Sequence, residues 1–310
     1  MNNRLQTYIE WMAARKPDFG GLCFAIDCSN GMASILVHEL FPKAVIINDT
    51  LDGTFPNHSP NPLKAEAREQ IAALVRERKL DCGVIFDGDA DRCMFVDERG
   101  EFVQPDYLIP VVAAATLNSK PRNLVTSKLP KIIHDVRTSR GAIEELRRMG
   151  CEPVMVPVGH AFAKPILREI GAVCGGELAG HYYFSEFHGC DSGVLAALRI
   201  LGEIAKAKAS GKTFSEMMKP ISGVYANSGE MNFKVEDKDA AIARVLTAAG
   251  GILPRELSRS EIDGIRIEYD EGWVNIRKSN TEPYLRLIVE CDGAERLKDW
   301  TSVLKGAVEA

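Results

Sequence analysis

The sequence of 310 residues lacks long hydrophobic runs and carries no excess of positive charge. No apolar stretch reaches membrane-spanning length, and the N-terminus lacks the apolar segment of a secretory signal peptide. The net charge of −5 does not indicate a nucleic acid or an anionic membrane surface as a main partner. We therefore predict a cytoplasmic protein without nucleic-acid or membrane partners, in which any bound anion is held by a local cluster of donors.

Paired cysteines are lacking as well. None of the eight cysteines forms a CxxC pair, and most of them lie in apolar runs. This spacing is not typical of zinc sites, so we do not predict one. We expect free, mostly buried thiols, as in a reducing compartment.

The alternation of apolar strands and amphipathic helices indicates an α/β protein of two or three domains. From about Val224 the pattern changes to several strand-like runs and two helices, which predicts a smaller α+β domain with an antiparallel sheet. We predict domains at 1–104, 105–222 and 223–310, the first two with mixed, mainly parallel sheets. Predicted strands of the second domain include NLVTSK, EPVMVPV and two short pieces around the glycine-rich loop in AVCGGELAGHYYF.

The segment VIFDGDADRC places three aspartates at alternate positions directly after an apolar strand. Asp87, Asp89 and Asp91 thus lie beyond the carboxyl end of a strand, where open α/β sheets bind ligands. Carboxylate oxygens at this spacing suit Mg²⁺, which also takes a substrate phosphate as a ligand. Arg92 adds a guanidinium for a phosphate oxygen. We predict a Mg²⁺ site that neutralises phosphate charge.

Two other interpretations of these aspartates are open to test. An EF-hand would have glycine where Arg92 stands and helices on both sides, so we reject it. A haloacid-dehalogenase-type phosphatase also has a D-x-D motif after an apolar strand, with Asp87 as the nucleophile. Such enzymes usually have Thr or Val in place of Asp91 and a later acidic pair for the metal, which we do not find. The phosphatase remains an alternative.

The segment IRKSNTEPYLRLIVE places several hydrogen-bond donors in one turn between two strands. Arg277, Ser279, Asn280 and Thr281 together supply a guanidinium, two hydroxyls and an amide, a set that suits a phosphate group. An ordinary hairpin turn is the alternative.

A glycine-rich loop, GGELAGHYYF, carries Glu177 and His181. A carboxylate there can bind sugar hydroxyls, and a histidine can bind a hydroxyl or move a proton. The segment PVGHAFAK places His160 and Lys164 at the beginning of a helix that follows a strand. Taken alone, that segment does not indicate a particular function.

Together, these motifs resemble the α-D-phosphohexomutase superfamily, in particular its phosphomannomutase/phosphoglucomutase type. The resemblance extends in order over nearly the whole chain. IDCSNGMAS and DGTFPNHSPNPLKAE resemble the second domain, DGDADRC the metal loop, VGHAFAK and GELAGHYYF the third domain, and RKSNTEPYLRL the phosphate-binding loop of the fourth. The resemblance implies an isomerase that interconverts hexose 1- and 6-phosphates through a phosphoserine and a bisphosphate intermediate.

The resemblance also implies a role for each motif. It implies that Asp87, Asp89 and Asp91 hold Mg²⁺, that Arg92 lies beside the transferring group, and that His181 assists proton transfer. The implied binding residues for mannose or glucose phosphates are Arg137, His160, Glu177, His181, Arg277, Ser279, Asn280 and Thr281.

The sequence departs from the family pattern at two points. It has no T-A-S-H-N-P loop, which carries the nucleophilic serine in the family's first domain, and Ser59 in NHSPNP belongs to a different loop. The sugar-recognition loop has Ala179 where serine is usual. We therefore expect domains two to four of a mutase, present as a truncated gene product, as one half of a split enzyme with a separate N-terminal domain, or as a fragment. In each case we expect an exposed apolar patch where the first domain would bind. The second hypothesis is a non-catalytic protein that binds sugar phosphate and Mg²⁺.

Overall fold

The structure is a computed structural model and describes residues 3–119, 129–253, 255–279 and 283–310. Within these ranges it contains α-helices and β-strands in alternating order. The helices are α1 Asn3–Ala13, α2 Val37–Leu40, α3 Glu69–Arg78, α4 Ile109–Asn118, α5 Arg140–Arg148, α6 His160–Glu169, α7 Gly193–Ala209, α8 Phe214–Ser222, α9 Lys238–Ile252 and α10 Ala294–Glu309. The strands are β1 Phe24–Asp27, β2 Val45–Ile47, β3 Cys82–Phe86, β4 Cys93–Asp97, β5 Phe102–Val103, β6 Lys131–Asp135, β7 Glu152–Val156, β8 Cys174–Gly176, β9 Tyr182–Phe184, β10 Cys190–Asp191, β11 Ala226–Asn227, β12 Met231–Phe233, β13 Glu256–Ser260, β14 Ile265–Tyr269, β15 Gly272–Lys278 and β16 Leu285–Cys291.

The first sheet has the strand order β2-β1-β3-β4-β5. Strands β2, β1 and β3 are parallel, β4 is antiparallel to β3, and β5 is antiparallel to β4, so only β4 opposes the common direction. Strand β3 is buried along its whole length. Its Ile85 packs with Ile71 and Val75 of α3 on one face, while Phe86 belongs to a larger core on the other. Burial on both faces explains the continuous apolar run.

The second sheet repeats this arrangement with the order β7-β6-β8-β9-β10. Strands β7, β6 and β8 are parallel, and β9 runs the opposite way. Strand β6, between β7 and β8, was not predicted, because His134 and Asp135 interrupt its apolar pattern, although both are buried. The predicted strand NLVTSK, residues 123–128, lies outside the described residues.

The third sheet is antiparallel throughout, with the order β11-β16-β15-β14-β13 and with β12 also paired to β16. Val245 of α9 and Trp300 and Leu304 of α10 share one core with Val274 and Leu287 of the sheet. The fold class of two α/β domains and a C-terminal α+β domain is thus confirmed. The exact domain boundaries stay a prediction.

The first two units share one core, whereas polar contacts tie the third unit to the second. Leu195 and Ile200 of α7 belong to the same hydrophobic cluster as Phe24 and Phe86 of the first sheet. Across the other junction, the guanidinium of Arg266 donates to the carbonyl oxygens of Val136 and Thr138, at 2.7 and 2.8 Å. Such directional contacts fix how the third sheet meets the end of β6. No helix in the described part of the chain is long and apolar enough to cross a membrane.

Candidate active site

The three aspartates after β3 converge on one point. We call residues 87–92 the aspartate loop. One carboxylate oxygen from each of Asp87, Asp89 and Asp91 lies within 4.8 Å of the other two. Ala90 adopts the left-handed conformation, with φ of 63°, and so turns the chain back on itself. A single tight turn at the end of a buried strand therefore brings alternate carboxylates together.

Arg92 closes the aspartate loop. Its backbone N–H donates to Oδ1 of Asp87 at 3.1 Å, and its Nε donates to Oδ2 of the same carboxylate at 2.7 Å. Oδ1 of Asp91 is buried and accepts no hydrogen bond from the described residues. Burial, together with Asp87 and Asp89, raises the pKa of Asp91 to about 7, although His181 opposes this shift. An unpaired buried oxygen in a cluster of acids fits a divalent cation.

The glycine-rich loop lies directly against the aspartate loop. We use that name for residues 175–181, between β8 and β9. The backbone N–H of Cys93 donates to the carbonyl oxygen of Gly180 at 3.3 Å, and Arg92 and His181 form an antiparallel bridge. Nδ1 of His181 lies 3.6 Å from Oδ2 of Asp91. The structure thus brings the predicted metal ligands and the predicted proton-transfer residue into contact, although they come from different sheets.

His181 is held by a second carboxylate that the sequence analysis missed. Its Nδ1 lies 3.1 Å from Oδ2 of Asp191, whose Oδ1 lies 2.8 Å from Nζ of Lys164. Burial would lower the pKa of His181, but Asp191, Asp91 and Glu177 outweigh it and raise the pKa. Burial would raise the pKa of Asp191, but His181 and Lys164 lower it to about 2. These acidic neighbours therefore favour the protonated form of the imidazole.

Glu177 is buried at the beginning of the glycine-rich loop. The hydroxyl of Tyr183 donates to its Oε1 at 2.5 Å, and its Oε2 lies 3.8 Å from Nη2 of Arg137. Burial and the charge of Asp135 raise the pKa of Glu177. Arg137 in turn binds Asp135 through Nε and Nη2, at 3.0 and 2.6 Å. Asp135 and Tyr183 therefore fix the two residues that were predicted to contact the sugar.

The turn predicted to bind phosphate is described only in part. Arg277 is buried on β15, and the backbone N–H of Ser279 donates to the carbonyl oxygen of Tyr284 at 2.9 Å. Asn280 and Thr281 lie outside the described residues. Arg277 donates from Nη2 to Oε2 of Glu230 at 2.9 Å. The guanidinium of this turn thus already meets a carboxylate.

Three guanidinium groups donate hydrogen bonds to the carboxylate of Glu230. Besides Arg277, Arg286 donates from Nη1 to Oε1 at 2.9 Å, and Arg137 donates from Nη1 to Oε2 at 3.4 Å. Burial would raise the pKa of Glu230, but the three arginines outweigh it and lower the pKa. We call these four side chains the Glu230 cluster. The cluster joins the third sheet to Arg137 of the second unit, which was predicted to bind substrate.

A cavity of about 580 Å³ opens beside the Glu230 cluster, where the three units meet. Lys64 and Gln104 line it from the first unit, Arg137 from the second, and Glu230 and Arg286 from the third. This volume falls in the range of small-molecule sites. Arg137, which lines the cavity, also lies 3.8 Å from Glu177 of the glycine-rich loop.

Sequence models of one family match almost the entire chain. Domain II of phosphoglucomutase/phosphomannomutase matches residues 3–100, domain III, described as alpha/beta/alpha like domain II, matches residues 104–223, and the C-terminal domain matches residues 230–304. The chain belongs to the phosphoglucomutase/phosphomannomutase family. The predicted membership in the α-D-phosphohexomutase superfamily is confirmed, and the phosphatase alternative receives no support.

Individual relatives agree with this assignment. A protein of Xanthomonas campestris pv. campestris described as phosphohexose mutases is 36% identical over 294 residues, which is 92% of this chain and 63% of the relative. A phosphomannomutase of Methanocaldococcus jannaschii is 35% identical over 288 residues, which is 92% of this chain and 61% of the relative. A solved phosphoglucomutase/phosphomannomutase family protein from Burkholderia thailandensis has a TM-score of 0.82 at 27% identity, over 98% of this chain and 64% of its own. The chain thus spans less than two thirds of the length of these relatives.

In this mutase-family chain, the loop DGTFPNHSPNP covers the aspartate loop. A Cβ atom on Gly88 would meet Phe55 and Pro60 at 3.3 and 3.5 Å. The loop is anchored by His58, whose Nε2 lies 3.0 Å from Oδ2 of the buried Asp27 at the end of β1. The pair of His58 and Asp27 was not predicted. Its signal in the sequence is the position of Asp27 at the carboxyl end of a strand, which is also where Asp87 and Asp135 lie.

Replacing His58 with Gln is expected to reduce stability at acidic pH more than at alkaline pH. The hydrogen bond to Asp27 raises the pKa of His58, against the opposing effect of burial. A histidine with a raised pKa contributes its full stabilisation at pH values below the unfolded pKa of about 6.5, and this contribution is lost as the pH rises through the folded pKa.

Urea unfolding of the original chain and of His58→Gln should be measured at several pH values. The free energies of unfolding should differ by about 1–2 kcal/mol at low pH, and the difference should shrink as the pH rises. The exposed His38, substituted likewise, is the control; a pH-independent difference would contradict the assignment.

Proposed function

We propose that this chain forms the metal-, sugar- and phosphate-binding part of a phosphohexomutase of the phosphomannomutase/phosphoglucomutase type, acting on mannose or glucose 1- and 6-phosphates. The observation that carries the proposal is the contact between the aspartate loop and the glycine-rich loop, where Arg92 and His181 form a bridge. Through it, a cluster of carboxylates suited to Mg²⁺ adjoins His181, whose pKa is raised, and the buried Glu177. Phosphoryl transfer needs this combination, because its catalysis is mainly positioning and charge neutralisation.

Each residue has a distinct task in this proposal. Asp87, Asp89 and Asp91 hold Mg²⁺, which supplies positive charge to the transferring phosphoryl group. Arg92 binds an oxygen of that group once its guanidinium turns from Asp87. His181 gives a proton to the sugar oxygen as the phosphoryl group leaves, and takes one back in the opposite direction.

The remaining residues orient the substrate. Glu177 accepts hydrogen bonds from sugar hydroxyls. His160, which begins α6 beside His181, and Arg137 line the site. Arg277 binds the phosphate that does not react, together with Ser279, Asn280 and Thr281 of the same turn. A sugar that carries two phosphates has to turn around between the two transfers, and the cavity between the three units provides room for this.

The nucleophilic serine of the family is not assigned to this chain. The 310 residues contain no T-A-S-H-N-P loop, so we propose that a mutase first domain beyond these residues, in the same or in a separate polypeptide, supplies the phosphoserine. The alternative, a protein that binds sugar phosphate and Mg²⁺ without turnover, is supported by the same observation. The two proposals differ in one result, which is turnover after addition of that domain.

Binding and turnover should be measured on the same protein. Calorimetry is expected to detect Mg²⁺ binding that falls at least about tenfold in Asp89→Asn, because one ligand is lost. Asp299→Asn, at an exposed acid of α10, is the matched control and should bind as the original does. Glucose 6-phosphate should bind in the presence of Mg²⁺. Absence of both binding events in folded protein would refute the proposed function.

The assay for turnover uses mannose 1-phosphate and glucose 1-phosphate with a bisphosphate activator. We expect conversion when an N-terminal mutase domain is added and little or none without it. Binding without conversion in either case would favour the non-catalytic alternative.

An exposed apolar surface near the aspartate loop supports the need for a partner domain. Met32, Ile35 and Leu51 expose 43%, 41% and 55% of their surface. Backbone hydrogen bonds join their segments to each other and to the aspartate loop, from Asp52 to Asn30 and from Met32 to Gly88. Apolar side chains grouped in this way usually mark an interaction site.

Changing Met32 and Leu51 together to Gln is expected to lower the binding of a hydrophobic dye and to weaken association with an added N-terminal mutase domain. The matched control is the same double change at Leu257 and Ile262 of the third unit, which are equally exposed. Dye fluorescence and analytical ultracentrifugation provide the measurements. Equal effects of both pairs would contradict this assignment of the surface.

A further inference from the structure

Two histidines and one aspartate form a cluster next to the aspartate loop. His160 is the first residue of α6, His181 ends the glycine-rich loop, and Asp191 ends β10. One ligand atom from each lies within 4.8 Å of the other two. The two imidazole rings meet edge to face, with centroids 5.9 Å apart. No cysteine takes part, so cysteine spacing gave no indication of this cluster.

The ligand atoms of the cluster are available to a cation. Nδ1 of His181 and Oδ2 of Asp191 are buried and 3.1 Å apart, yet they lack a well-aligned hydrogen-bond partner among the described residues. Lys164 contacts the other oxygen of Asp191, at 2.8 Å, so a metal would compete for Oδ2 only with the imidazole of His181 among the described ion pairs. His160 is exposed at the surface and gives access from solvent.

We propose that His160, His181 and Asp191 form a binding site for a transition-metal cation such as Zn²⁺ or Co²⁺, separate from the Mg²⁺ site of the aspartate loop. Two imidazoles and one carboxylate are a usual ligand set for such metals, which keep a further position open for water or another ligand. Mg²⁺ prefers oxygen ligands alone and is poorly served by this set. Ligand chemistry therefore separates two neighbouring cation sites.

Occupation of this site would block the reaction proposed above. A metal on His181 replaces the proton that the imidazole would deliver. Asp91 lies 3.6 Å from His181, so the two cations would also repel each other across that contact. This inhibitory consequence rests on the proposed function, whereas metal binding itself does not.

Cobalt titration tests the site through the visible spectrum, because nitrogen-ligated cobalt of low coordination number absorbs far more strongly than cobalt in an octahedral oxygen site. We expect the original chain to show the strong bands. His160→Ala should weaken cobalt binding at least about tenfold, as loss of even an indirect partner of a metal ligand does. Asp89→Asn should keep the bands, because Asp89 belongs to the other site.

His38→Ala is the matched control for His160→Ala. His38 also forms a histidine–carboxylate pair, with Nε2 2.8 Å from Oδ2 of Asp49, but no second histidine joins it in the described metal-binding clusters. Its loss should leave cobalt binding unchanged. Since His160 and His38 are both exposed, both variants should fold, and circular dichroism checks this.

Two results would overturn the site. One is the absence of strong bands at saturating cobalt. The other is a spectrum that Asp89→Asn abolishes and His160→Ala leaves intact, which would place cobalt on the aspartates. Cobalt binding as expected, in a protein that never converts hexose phosphates even with an added N-terminal domain, would refute the proposed function and leave the metal site standing.

Discussion

Replacing Glu230 with Ala is expected to destabilise the chain by about 3–5 kcal/mol, the usual cost of breaking a buried ion pair on one side. Arg137 and Arg277 expose only 4% and 2% of their side chains. Without Glu230, Arg277 would keep its charge but lose its only carboxylate partner in the described ion pairs, and Arg137 would lose one of several. The third sheet would then be held less firmly against the second. Urea unfolding, followed by circular dichroism, measures the loss.

The substitution should also create an anion site. The three guanidinium groups that donate to Glu230 would lose that carboxylate, and a phosphate ion could take its place. Inorganic phosphate should therefore raise the melting temperature of Glu230→Ala more than that of the original chain. Glu230→Gln keeps an acceptor oxygen and should show smaller effects of both kinds.

Glu256→Ala is the matched control, because Glu256 also pairs with an arginine, Arg259 at 2.9 Å, but on the surface. We expect less than about 1 kcal/mol from its loss. If Glu230→Ala and Glu256→Ala cost the same, or if phosphate stabilises all the proteins equally, the Glu230 cluster is not the anchor described above.

The convergence of the three aspartates could be predicted from the sequence because it is local. A strand, a tight turn and alternate aspartates are all contained in residues 82–92, so no tertiary information is needed to bring the carboxylates together. The same holds for the order of strands and helices, since alternating apolar patterns indicate an α/β unit directly. The fold class and the family resemblance rest on these local patterns.

The partners of the predicted residues could not be predicted in this way. Asp191 meets His181, and Glu230 meets Arg137, only after separate sheets have packed together. A lone acid ahead of a helix or strand has no feature that sets it apart from a solvated surface residue. Asp135 is different, because it ends a strand that runs parallel to its neighbours. The rule used for Asp87 would have found it only if β6 had been recognised as a strand.

Three elements were missed, two of them, β6 and β13, for reasons that the structure explains. Strand β6 contains His134, whose pKa is lowered to about 4 by burial, so a neutral imidazole takes the place of an apolar residue. Helix α8 begins with a complete capping box between Thr213 and Glu216. That start signal was present in the sequence. Strand β13 is largely exposed at the edge of the third sheet, and its polar sequence gives no apolar alternation.

Helix α7 packs closely against the aspartate loop, and disturbing this contact is expected to affect both stability and Mg²⁺ binding. Gly193 begins α7, and a Cβ atom there would lie 2.6 Å from the carbonyl oxygen of Arg92 and 2.9 Å from that of Ala90. Both neighbours are backbone atoms of the aspartate loop and cannot move without shifting its carboxylates. Gly193→Ala is therefore expected to cost about 1–3 kcal/mol, the range for overpacking a tight site. It should also weaken Mg²⁺ binding at least about tenfold, as distortion around metal ligands does.

Gly306→Ala in α10 separates this steric effect from the general effect of alanine in a helix. A Cβ atom on Gly306 would meet no atom within 4 Å, so this change should stabilise the chain by about 0.5–1 kcal/mol and leave Mg²⁺ binding unaltered. The two substitutions are chemically identical, and both lie in helices. Opposite signs in urea unfolding, with a calorimetric loss of Mg²⁺ affinity for Gly193→Ala alone, would show that α7 supports the aspartate loop. Unchanged Mg²⁺ affinity in a destabilised Gly193→Ala would mean that the loop keeps its geometry without that support.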